Sequence, residues 1–484
     1  YCNTQATTSD AAGRYAFTLM MGRSCLLGVN AELATNGLTF VSRRQLVTAP
    51  PSVTNCDLTV ALPSAPAYTL VAITNIPANP VSGASGDYAG GTINNDNRVI
   101  GNAGASGFGS SADDAFSWAN GTGSLLAAPY PPGSVADPNY HRTLARDVND
   151  SGLLVGEVQA WDGVSQYVIK SFTLQNGTNT WIDPPDGWSI GEPLAINNSG
   201  YMAGLGEVVK YDCNIFPVLW SPDGKATVLP ANHFVTAPAG YTGTYSEPRS
   251  INNYGQAVGL SGFLNIYVYS ISWYRAVQWQ DGEAIDLAGT NCAGDAECSA
   301  YSINDLGESV GVLYKAQGSG HAVIYRDGGV TDINDSSSIN VMLRSSEALG
   351  INNQGDIVGY VYDGTVTPFV ASNHLSALGL ESPAARADSL GARPKGGTSS
   401  CPPALWKDGQ LYELSDLVVN MGDWSLNSAV SINEQGWITG GCQDGNGKYY
   451  PYVLIPLTNA TPANIGVSPA AISVSGTVQP GASV

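Results

Sequence analysis

Residues that could carry out chemistry are scattered along this 484-residue sequence rather than grouped. Four histidines each occur alone, without a second ligand at the spacing of a zinc site, and we interpret them as surface or packing residues: His141, His233, His321 and His374. The sequence contains no Gly-x-Ser-x-Gly elbow, no His-Glu-x-x-His pair and no phosphate-binding loop. Because the acids are also dispersed among turns, we predict no catalytic residues and no enzymatic activity.

Calcium is the one metal for which the sequence offers a candidate site. Asp147, Asn149 and Ser151 form an Asp-x-Asn-x-Ser run of oxygen-bearing side chains. Only one of the seven repeats described below has Asp at this place, so calcium does not explain the repeat. We therefore predict no cofactor, with calcium at this run as the alternative.

The cysteines predict disulfides. Cys292 and Cys298 bracket a short Gly/Asp loop with neither His nor a second Cys pair nearby, which favours a local disulfide over a zinc site. Cys401 and Cys442 flank the last repeat and are further disulfide candidates, whose pairing the sequence does not reveal. Disulfides and a strongly acidic balance together predict an extracellular or cell-surface location.

Composition excludes several classes of protein. The 40 Asp and Glu outnumber the 20 Lys and Arg, and the net charge of −20 argues against a nucleic-acid partner. No apolar run of about 18 residues is present, so we predict no membrane span. With 57 Gly and 28 Pro, long helices are not expected.

The elements that must position these residues are repeated. One nine-residue pattern recurs seven times: an aliphatic residue, Asn, a polar residue, any residue, Gly, three residues that usually include an apolar pair, and Gly. The copies begin at Ile93, Val148, Ile196, Ile251, Ile303, Ile351 and Ile432. The first five intervals are 55, 48, 55, 52 and 48 residues, and the last is 81. Such spacing predicts an array of equivalent units.

Each copy of the pattern predicts a β-hairpin. The aliphatic residue ends a strand, the polar residues form the turn, and Gly takes the positive φ that a tight turn needs. In the first copy Asn97 replaces this Gly, and Asn is the side chain that best tolerates the left-handed region. The recurrent Asn fits a residue whose amide caps the turn, so its repetition needs no ligand.

A second recurrent element lies between the hairpins. It is a strand that often ends in Trp or Tyr, as in residues 115–118, 217–220 and 404–406, followed by a turn with Gly and a short apolar strand. Together with the hairpin it gives four short strands per unit of about 50 residues, which is the size of a propeller blade. We therefore predict an all-β fold, a β-propeller of four-stranded blades.

The long interval allows two blade counts. Residues 404–406 begin the second element again before the seventh hairpin, and we interpret residues 389–391 as the remnant of a degenerate hairpin. This interpretation gives eight blades, which we prefer, whereas an insertion at 373–400 gives seven. A strand at 452–457 would close the ring against the first unit, which opens at Tyr68.

These motifs resemble those of the HAF repeat family, extracellular bacterial repeat proteins. The units of that family carry an Ala-Phe-x-Trp strand, an Asp-Leu strand and the Ile-Asn-x-x-Gly-x-Val-x-Gly hairpin. The resemblance covers residues 67–457, with Asn97 and the missing hairpin near residue 390 as departures. It implies secretion or surface display and supports a propeller, but it transfers no catalytic residue because the family has no established activity.

The sequence divides into three regions. Residues 1–66, with three cysteines and neither repeat element, predict a disulfide-tied extension or cap, and residues 67–457 predict the propeller. Residues 458–484 are nearly free of charge and are similar to the opening of immunoglobulin-like modules in bacterial surface proteins. They predict either the start of such a module or a strand-like tail, which could add to a neighbouring subunit.

Three functions remain open at this point. We favour a secreted or cell-surface structural or interaction protein that self-assembles into an oligomer or filament through its terminal extensions. The first alternative is an adhesion module that binds a surface glycan or protein. The second is a propeller hydrolase or lyase with a site in the central channel, which requires two carboxylates or histidines to converge there.

Overall fold

The computed structural model describes most of the repeat region and part of the terminal segments. The described residues are 66–77, 87–104, 115–126, 128–136, 141–164, 167–209, 214–231, 234, 243–265, 270–289, 297–314, 320–333, 344–363 and 402–457, together with the strand segments 24–29, 43–48, 55–61 and 471–477. No helix in these segments has the length and hydropathy to cross a bilayer.

Four strands precede the first hairpin of the repeat. They are β1 (Ser24–Val29), β2 (Arg43–Thr48), β3 (Asn55–Ala61) and β4 (Tyr68–Ala72). β1 and β2 form an antiparallel pair, whereas β4 belongs to the propeller.

Six blades follow, and within each the four strands pair antiparallel in chain order. Blades 3 and 4 are also joined into one eight-stranded sheet by a parallel pairing of Ile215 with Tyr245. Blade 1 consists of β5 (Asp87–Ile93), β6 (Val99–Gly104), β7 (Ala115–Ala119) and β8 (Thr122–Leu126). Blade 2 consists of β9 (His141–Val148), β10 (Leu154–Trp161), β11 (Tyr167–Gln175) and β12 (Thr178–Ile182). Blade 3 consists of β13 (Ile190–Ile196), β14 (Met202–Glu207), β15 (Ile215–Trp220) and β16 (Ala226–Val228).

The next three blades repeat this order. Blade 4 consists of β17 (Gly243–Ile251), β18 (Ala257–Asn265), β19 (Ser270–Gln280) and β20 (Glu283–Asp286). Blade 5 consists of β21 (Cys298–Ile303), β22 (Ser309–Tyr314), β23 (Gly320–Arg326) and β24 (Gly329–Asp332). Blade 6 consists of β25 (Arg344–Ile351), β26 (Ile357–Asp363), β27 (Pro403–Lys407) and β28 (Gln410–Glu413).

Blade 7 joins the two ends of the repeat region. After a 3₁₀ turn (Leu414–Leu417), two short strands share the inner position of this blade, β29 (Ser425–Leu426) and β30 (Ser431–Ile432), and both pair with β31 (Ile438–Gln443). β31 pairs in turn with β32 (Tyr449–Pro456). The outer strand of the blade is β4, which pairs with β32 from Tyr68↔Pro456 to Ala72↔Tyr452. The predicted meeting of the strand at 452–457 with the strand at Tyr68 is confirmed, but both belong to the last blade rather than to two neighbouring blades.

The all-β propeller of four-stranded blades is confirmed, and the preferred count of eight blades is corrected to seven. β27 pairs directly with β26 of the sixth hairpin, with Ile357 opposite Trp406. Residues 404–406 therefore complete blade 6 instead of opening another unit. The remnant hairpin predicted at 389–391 lies outside the described residues.

The hydrophobic core lies between adjacent blades. The Trp that ends the third strand is buried in blades 1, 3, 4 and 6, as Trp118, Trp220, Trp279 and Trp406. Trp220 packs with residues of blade 2, and its indole N–H donates to the Asp183 carbonyl at 2.9 Å. Because each sheet buries one face on each neighbour, apolar burial holds the ring together.

The terminal extensions meet each other. β33 (Ala471–Thr477) pairs with β3 in an antiparallel register that runs from Asn55↔Thr477 to Ala61↔Ala471. Residues 458–484 therefore contain a strand, and it pairs with the N-terminal extension of its own chain.

Candidate functional site: the wall of the central channel

The recurrent Asn of the repeat forms a closed ring, which we call the asparagine ring. Its members are Asn94, Asn149, Asn197, Asn252, Asn304, Asn352 and Asn433. Each side-chain amide donates to the main-chain carbonyl of the next member at 2.8 to 3.1 Å, and Asn433 donates back to Asn94. Each Oδ1 accepts main-chain N–H groups of its own turn, for example those of Ser199 and Tyr201 at Asn197. The predicted turn cap is confirmed, and the same side chain also links neighbouring blades.

The residue after each of these asparagines forms a second ring. Its members are Asn95, Asp150, Asn198, Asn253, Asp305, Asn353 and Glu434. Each main-chain N–H donates to the side-chain oxygen of the next member at 2.7 to 3.2 Å, and Glu434 donates back to Asn95. Only Asn, Asp and Glu occur here because the position needs a carbonyl or carboxylate acceptor. Both rings therefore join neighbouring blades through hydrogen bonds.

The inner strands carry a bulge at a fixed place, two residues before the aliphatic residue of the motif. In blades 2 to 6 the pairing of inner and second strand skips one residue, which is Arg146, Leu194, Arg249, Tyr301 or Leu349. In blade 1 the skip covers Gly91 and Thr92, and in blade 7 Val430 lies at the equivalent place before β30. The bulge turns these residues out of the sheet, and they are half-buried although the strands around them are buried.

The second glycine of the motif is explained by this bulge. In blade 5 it is Gly311, opposite Ala300, and a Cβ there would lie far inside van der Waals contact of the Ser299 carbonyl oxygen. The equivalent glycines of blades 2, 3, 4, 6 and 7 face the same close approach. The bulge thus requires a residue without a side chain on the neighbouring strand.

The seven residues at this position project from the innermost strand of each blade, and we call them the channel wall. They are Gly91, Arg146, Leu194, Arg249, Tyr301, Leu349 and Val430. Unlike the ring residues, they differ from blade to blade. Blades 2, 4 and 5 contribute two arginines and a tyrosine, and the others contribute aliphatic residues or glycine. The wall therefore has a polar arc and an apolar arc.

Two carboxylates converge behind Arg146. Its Nη2 lies 3.2 Å from Glu157 Oε1, which also accepts from Gln159 Nε2 at 3.1 Å. Burial, opposed by Arg146 and assisted by Glu192 of blade 3, raises the pKa of Glu157 to about 7. The side chain of Glu157 is 1% exposed, compared with 12% for Arg146. The arginine, not the acid, therefore faces the channel.

Arg249 has a similar setting in blade 4. Its Nε donates to Glu247 Oε1 at 3.0 Å, its Nη1 donates to Ser299 Oγ at 3.2 Å, and its guanidinium lies 4.9 Å from the ring centre of Tyr301. The hydroxyl of Tyr245 donates to the second oxygen of Glu247. Glu247 is 1% exposed and Arg249 10%, so the carboxylate again lies behind the arginine.

Tyrosines surround a further buried acid in blade 6. The hydroxyl of Tyr314 donates to Glu347 Oε1 at 3.0 Å. Burial raises the pKa of Glu347, and hydrogen bonds from Tyr360, Tyr314 and Tyr301 oppose this rise. Behind the polar arc, buried acids and phenols therefore extend from blade 2 to blade 6.

The oxygens of Asp147 and Asn149, from the candidate calcium run, accept hydrogen bonds within the protein. Asp147 accepts the N–H of Val148 at 2.8 Å and that of Ile196, in the next blade, at 2.9 Å. The Oδ1 of Asn149 accepts from the Ser151 hydroxyl at 2.8 Å. Asp147 thus links two blades, as Ser250 and Ser431 do at the same place in their units. Within the described segments, no group of three or more His, Cys, Asp or Glu could hold a metal ion.

The two histidines within the described ranges have structural settings. His321 lies 2.7 Å from Asp332 of the same blade, and His141 packs on Tyr130 with ring centres 4.4 Å apart. Burial lowers the pKa of His141, opposed by hydrogen bonds with the main chain of Ala128 and Pro129. His233 and His374 lie outside the described residues.

The cysteine predictions have mixed outcomes. Cys292 and Cys401 lie outside the described residues, so the Cys292–Cys298 disulfide stays a prediction. Cys298 is buried, and its sulfur accepts the N–H of Ala276 at 3.3 Å. Cys442 is a buried free thiol whose pKa is raised to about 12 by burial and by Asp444, so its participation in a disulfide is not confirmed.

The polar arc of the channel wall was not predicted from the sequence. Arg146, Arg249 and Tyr301 stand at a fixed offset before each motif, where the residue type varies while the motif stays the same. This contrast was visible in the sequence. The bulge at this position, and its direction toward the axis, could not be seen in the sequence.

Comparison with known proteins gives no family. No protein-family model matches the chain, and no curated protein matches it. Among solved structures, puromycin hydrolase is similar at 12% identity and a TM-score of 0.44, over 81% of this chain and 55% of that one. The β-propeller domain of the Trilobed protease from Pyrococcus furiosus is 10% identical with a TM-score of 0.40, over 78% and 99%.

Trypanosoma rangeli sialidase is also similar, at 11% identity and a TM-score of 0.36, over 83% of this chain and 60% of that one. The chain spans about half the length of the puromycin hydrolase chain that it matches.

Proposed function

We propose that this protein is a non-catalytic β-propeller binding protein, secreted or displayed on the cell surface, whose ligand enters the central channel. The proposal rests on the contrast between the rings and the channel wall. A position that serves only the fold is expected to keep its residue type in all equivalent units, as the asparagine ring does. The channel wall breaks this equivalence at one arc, which favours a role in recognition.

The burial of the acids favours binding over catalysis. A general acid or nucleophile must reach the reacting atoms of a substrate. Glu157 and Glu247 are each 1% exposed and lie behind the arginines that they orient. What a ligand meets in the polar arc is guanidinium and phenol.

A hydrolase or lyase is the second candidate, and one observation favours it. Glu157 and Glu192 lie side by side next to Arg146, which meets the requirement for two converging carboxylates. A carboxyl group with a pKa near 7 also suits general acid catalysis.

Substitution of the two acids separates these candidates. We expect the full chain to release no nitrophenolate from a panel of nitrophenyl glycosides and esters, and Glu157→Gln and Glu192→Gln to behave identically. Glu283→Gln, at an exposed position of β20, is the matched control. The proposal would be contradicted if the unaltered chain and the control both released nitrophenolate and the Glu157 and Glu192 variants did not. That result would establish an enzyme.

Self-assembly through the extensions is part of the proposal. β3 and β33 pair through seven residue pairs within one chain, and exchange of β33 between two chains would use the same register. Light scattering on the full chain and on a chain lacking residues 458–484 tests this. An equal particle mass for the two chains would contradict assembly through the tail. Binding of a surface glycan or protein is a separate prediction, which this experiment does not address.

A further inference from the structure

The tip residue of each motif hairpin lies two positions after the asparagine of the asparagine ring. All seven tip residues are exposed: Asp96, Ser151, Ser199, Tyr254, Leu306, Gln354 and Gln435. Five of them are polar, whereas Tyr254 and Leu306, in blades 4 and 5, are large and apolar, with 76% and 69% of their surfaces exposed. Single apolar residues on a surface are ordinary, but two at equivalent places in neighbouring blades form a patch, which we call the apolar tips.

The turn itself does not require apolar side chains at the apolar tips. The main-chain N–H of Tyr254 and that of Leu306 each donate, at 3.1 Å, to the Oδ1 of the asparagine two residues earlier. Ser199 and Gln354 make the same bond at 3.1 Å with polar side chains. Because only the main chain takes part, the hairpin folds equally well with a polar tip, and the two apolar side chains need another explanation.

The two apolar tips are held side by side. Asn253, next to Tyr254, donates from its main-chain N–H and from Nδ2 to the two carboxylate oxygens of Asp305, next to Leu306, at 2.9 and 2.8 Å. The ring bond from Asn252 to the following blade reinforces this link. The relative position of the two turns is therefore fixed before any partner arrives, which reduces the entropy lost on binding.

The turns around the apolar tips are acidic. The turns between third and fourth strands lie on the same face as the motif hairpins, because Gln256 Nε2 donates to Gln280 Oε1 at 2.9 Å in blade 4. In blade 5, Arg326 Nη1 donates likewise to Glu308 Oε1 at 2.8 Å. The turns of these two blades carry five acids and one base, which are Asp281, Glu283, Asp305, Glu308, Asp327 and Arg326. A complementary partner carries positive charge beside apolar side chains.

We propose that the hairpin face of blades 4 and 5 docks a basic polypeptide segment, whose Lys or Arg side chains pair with the acids of the turns and whose apolar side chains pack on Tyr254 and Leu306. Tyrosine is enriched among the residues that dominate binding at protein interfaces. A second copy of this chain fits less well, because each copy carries a net charge of −20. This face is separate from the channel wall, so the inference does not depend on a ligand in the channel.

The first measurement selects peptides from a random library displayed on phage, with the full chain as the target. We expect the enriched sequences to combine Lys or Arg with apolar residues. The most enriched peptide, made synthetically, should bind the unaltered chain in calorimetry, and its affinity should fall as salt is added because the charges on both sides are exposed.

Substitution of the apolar tips then locates the binding. Tyr254→Ser and Leu306→Gln introduce the residues that blades 3 and 6 have at this place, so we expect both variants to keep the Tm of the unaltered chain. Each should bind the synthetic peptide about tenfold more weakly, the effect of losing one dominant interface side chain. Gln354→Ser, at the equivalent tip of blade 6, is the matched control and should bind like the unaltered chain.

Each outcome decides. No enriched peptide, or enriched peptides without basic residues, would overturn the proposal on the unaltered chain alone, even if a tip variant fails to fold. Equal affinity of the peptide for the unaltered chain and for both tip variants would also overturn it. Self-association that both tip variants abolish would show that the face binds a second copy of this chain instead of a basic segment.

Discussion

At the scale of single residues, Asp147 couples the propeller to pH. Burial, opposed by hydrogen bonds from Ile196, Val148 and Thr92, raises its pKa from 3.8 to about 7. Between these values the folded chain holds a proton that the unfolded chain has released. Stability contributed by this group is therefore complete below about pH 4 and is lost as the pH rises through 7.

The substitution Asp147→Asn tests this coupling. Asn cannot titrate but keeps one oxygen for the N–H of Ile196. The free energy of unfolding should therefore fall less steeply between pH 4 and 7, by the contribution of about one bound proton. Urea unfolding at a series of pH values measures it. Asp223→Asn, in an exposed turn where the Ser221 hydroxyl lowers the pKa, is the control. An unchanged slope in Asp147→Asn would show that this carboxyl is not the titrating group.

Also at this scale, Asn197 has two separable tasks. Asn197→Asp keeps the oxygen that caps the turn but removes the N–H that reaches the Asn252 carbonyl at 2.9 Å, and it turns an acceptor toward an acceptor. We expect a loss of about 1–3 kcal/mol in the free energy of unfolding. Asn176→Asp, in an exposed hairpin turn, should change it by less than about 0.5 kcal/mol. Equal effects of the two substitutions would argue against a structural role for the asparagine ring.

At the scale of elements, the bulge of the inner strand predicts which glycines tolerate a methyl group. Gly311→Ala would push the Cβ into the Ser299 carbonyl on the neighbouring strand, and we expect a loss of about 2–3 kcal/mol. Gly329→Ala, in β24 of the same blade, places its Cβ 3.4 Å from the Arg326 carbonyl oxygen and should cost little. Thermal unfolding compares the two variants. A harmless Gly311→Ala would mean that the bulge can relax.

The hairpins were predictable from the sequence because their causes are local. The turn glycines have positive φ, for example 78° at Gly152, and Asn97 takes the same role with φ of 59°. The reason for the second glycine was not predictable, because the carbonyl that excludes a side chain belongs to a bulge that appears only once two strands are paired. The polar arc was not predictable for a related reason. The repeat is defined by positions with the same residue type in every unit, and the wall residues differ from unit to unit.

At the scale of the whole molecule, the pairing of β26 with β27 makes residues 364–401 an insertion within blade 6. A chain in which a short Gly-containing loop replaces 364–401 should fold with a Tm close to that of the full chain, because Ile357 and Trp406 already face each other across the sheet. Circular dichroism and thermal unfolding measure this. Loss of the cooperative transition would indicate that the segment contributes to the ring.

The blade count was beyond the sequence for a reason of topology. The strand predicted at 404–406 is confirmed, but the spacing of motifs does not show whether a strand starts a new sheet or completes the preceding one. The asparagine ring settles it, since Asn352 donates to Asn433 across the 81-residue interval.

The way the chain closes also sets how it would respond to force. Tyr68 and Pro456 lie opposite each other at one end of the β4–β32 pair, and Asn55 and Thr477 do the same in the β3–β33 pair. A pull on the two ends of the chain therefore loads the outermost hydrogen bonds one after another, as in unzipping, and not the whole ladder in shear. If this protein is anchored at one end and held by a partner at the other, tension would separate β3 from β33 first and then β4 from β32 in blade 7.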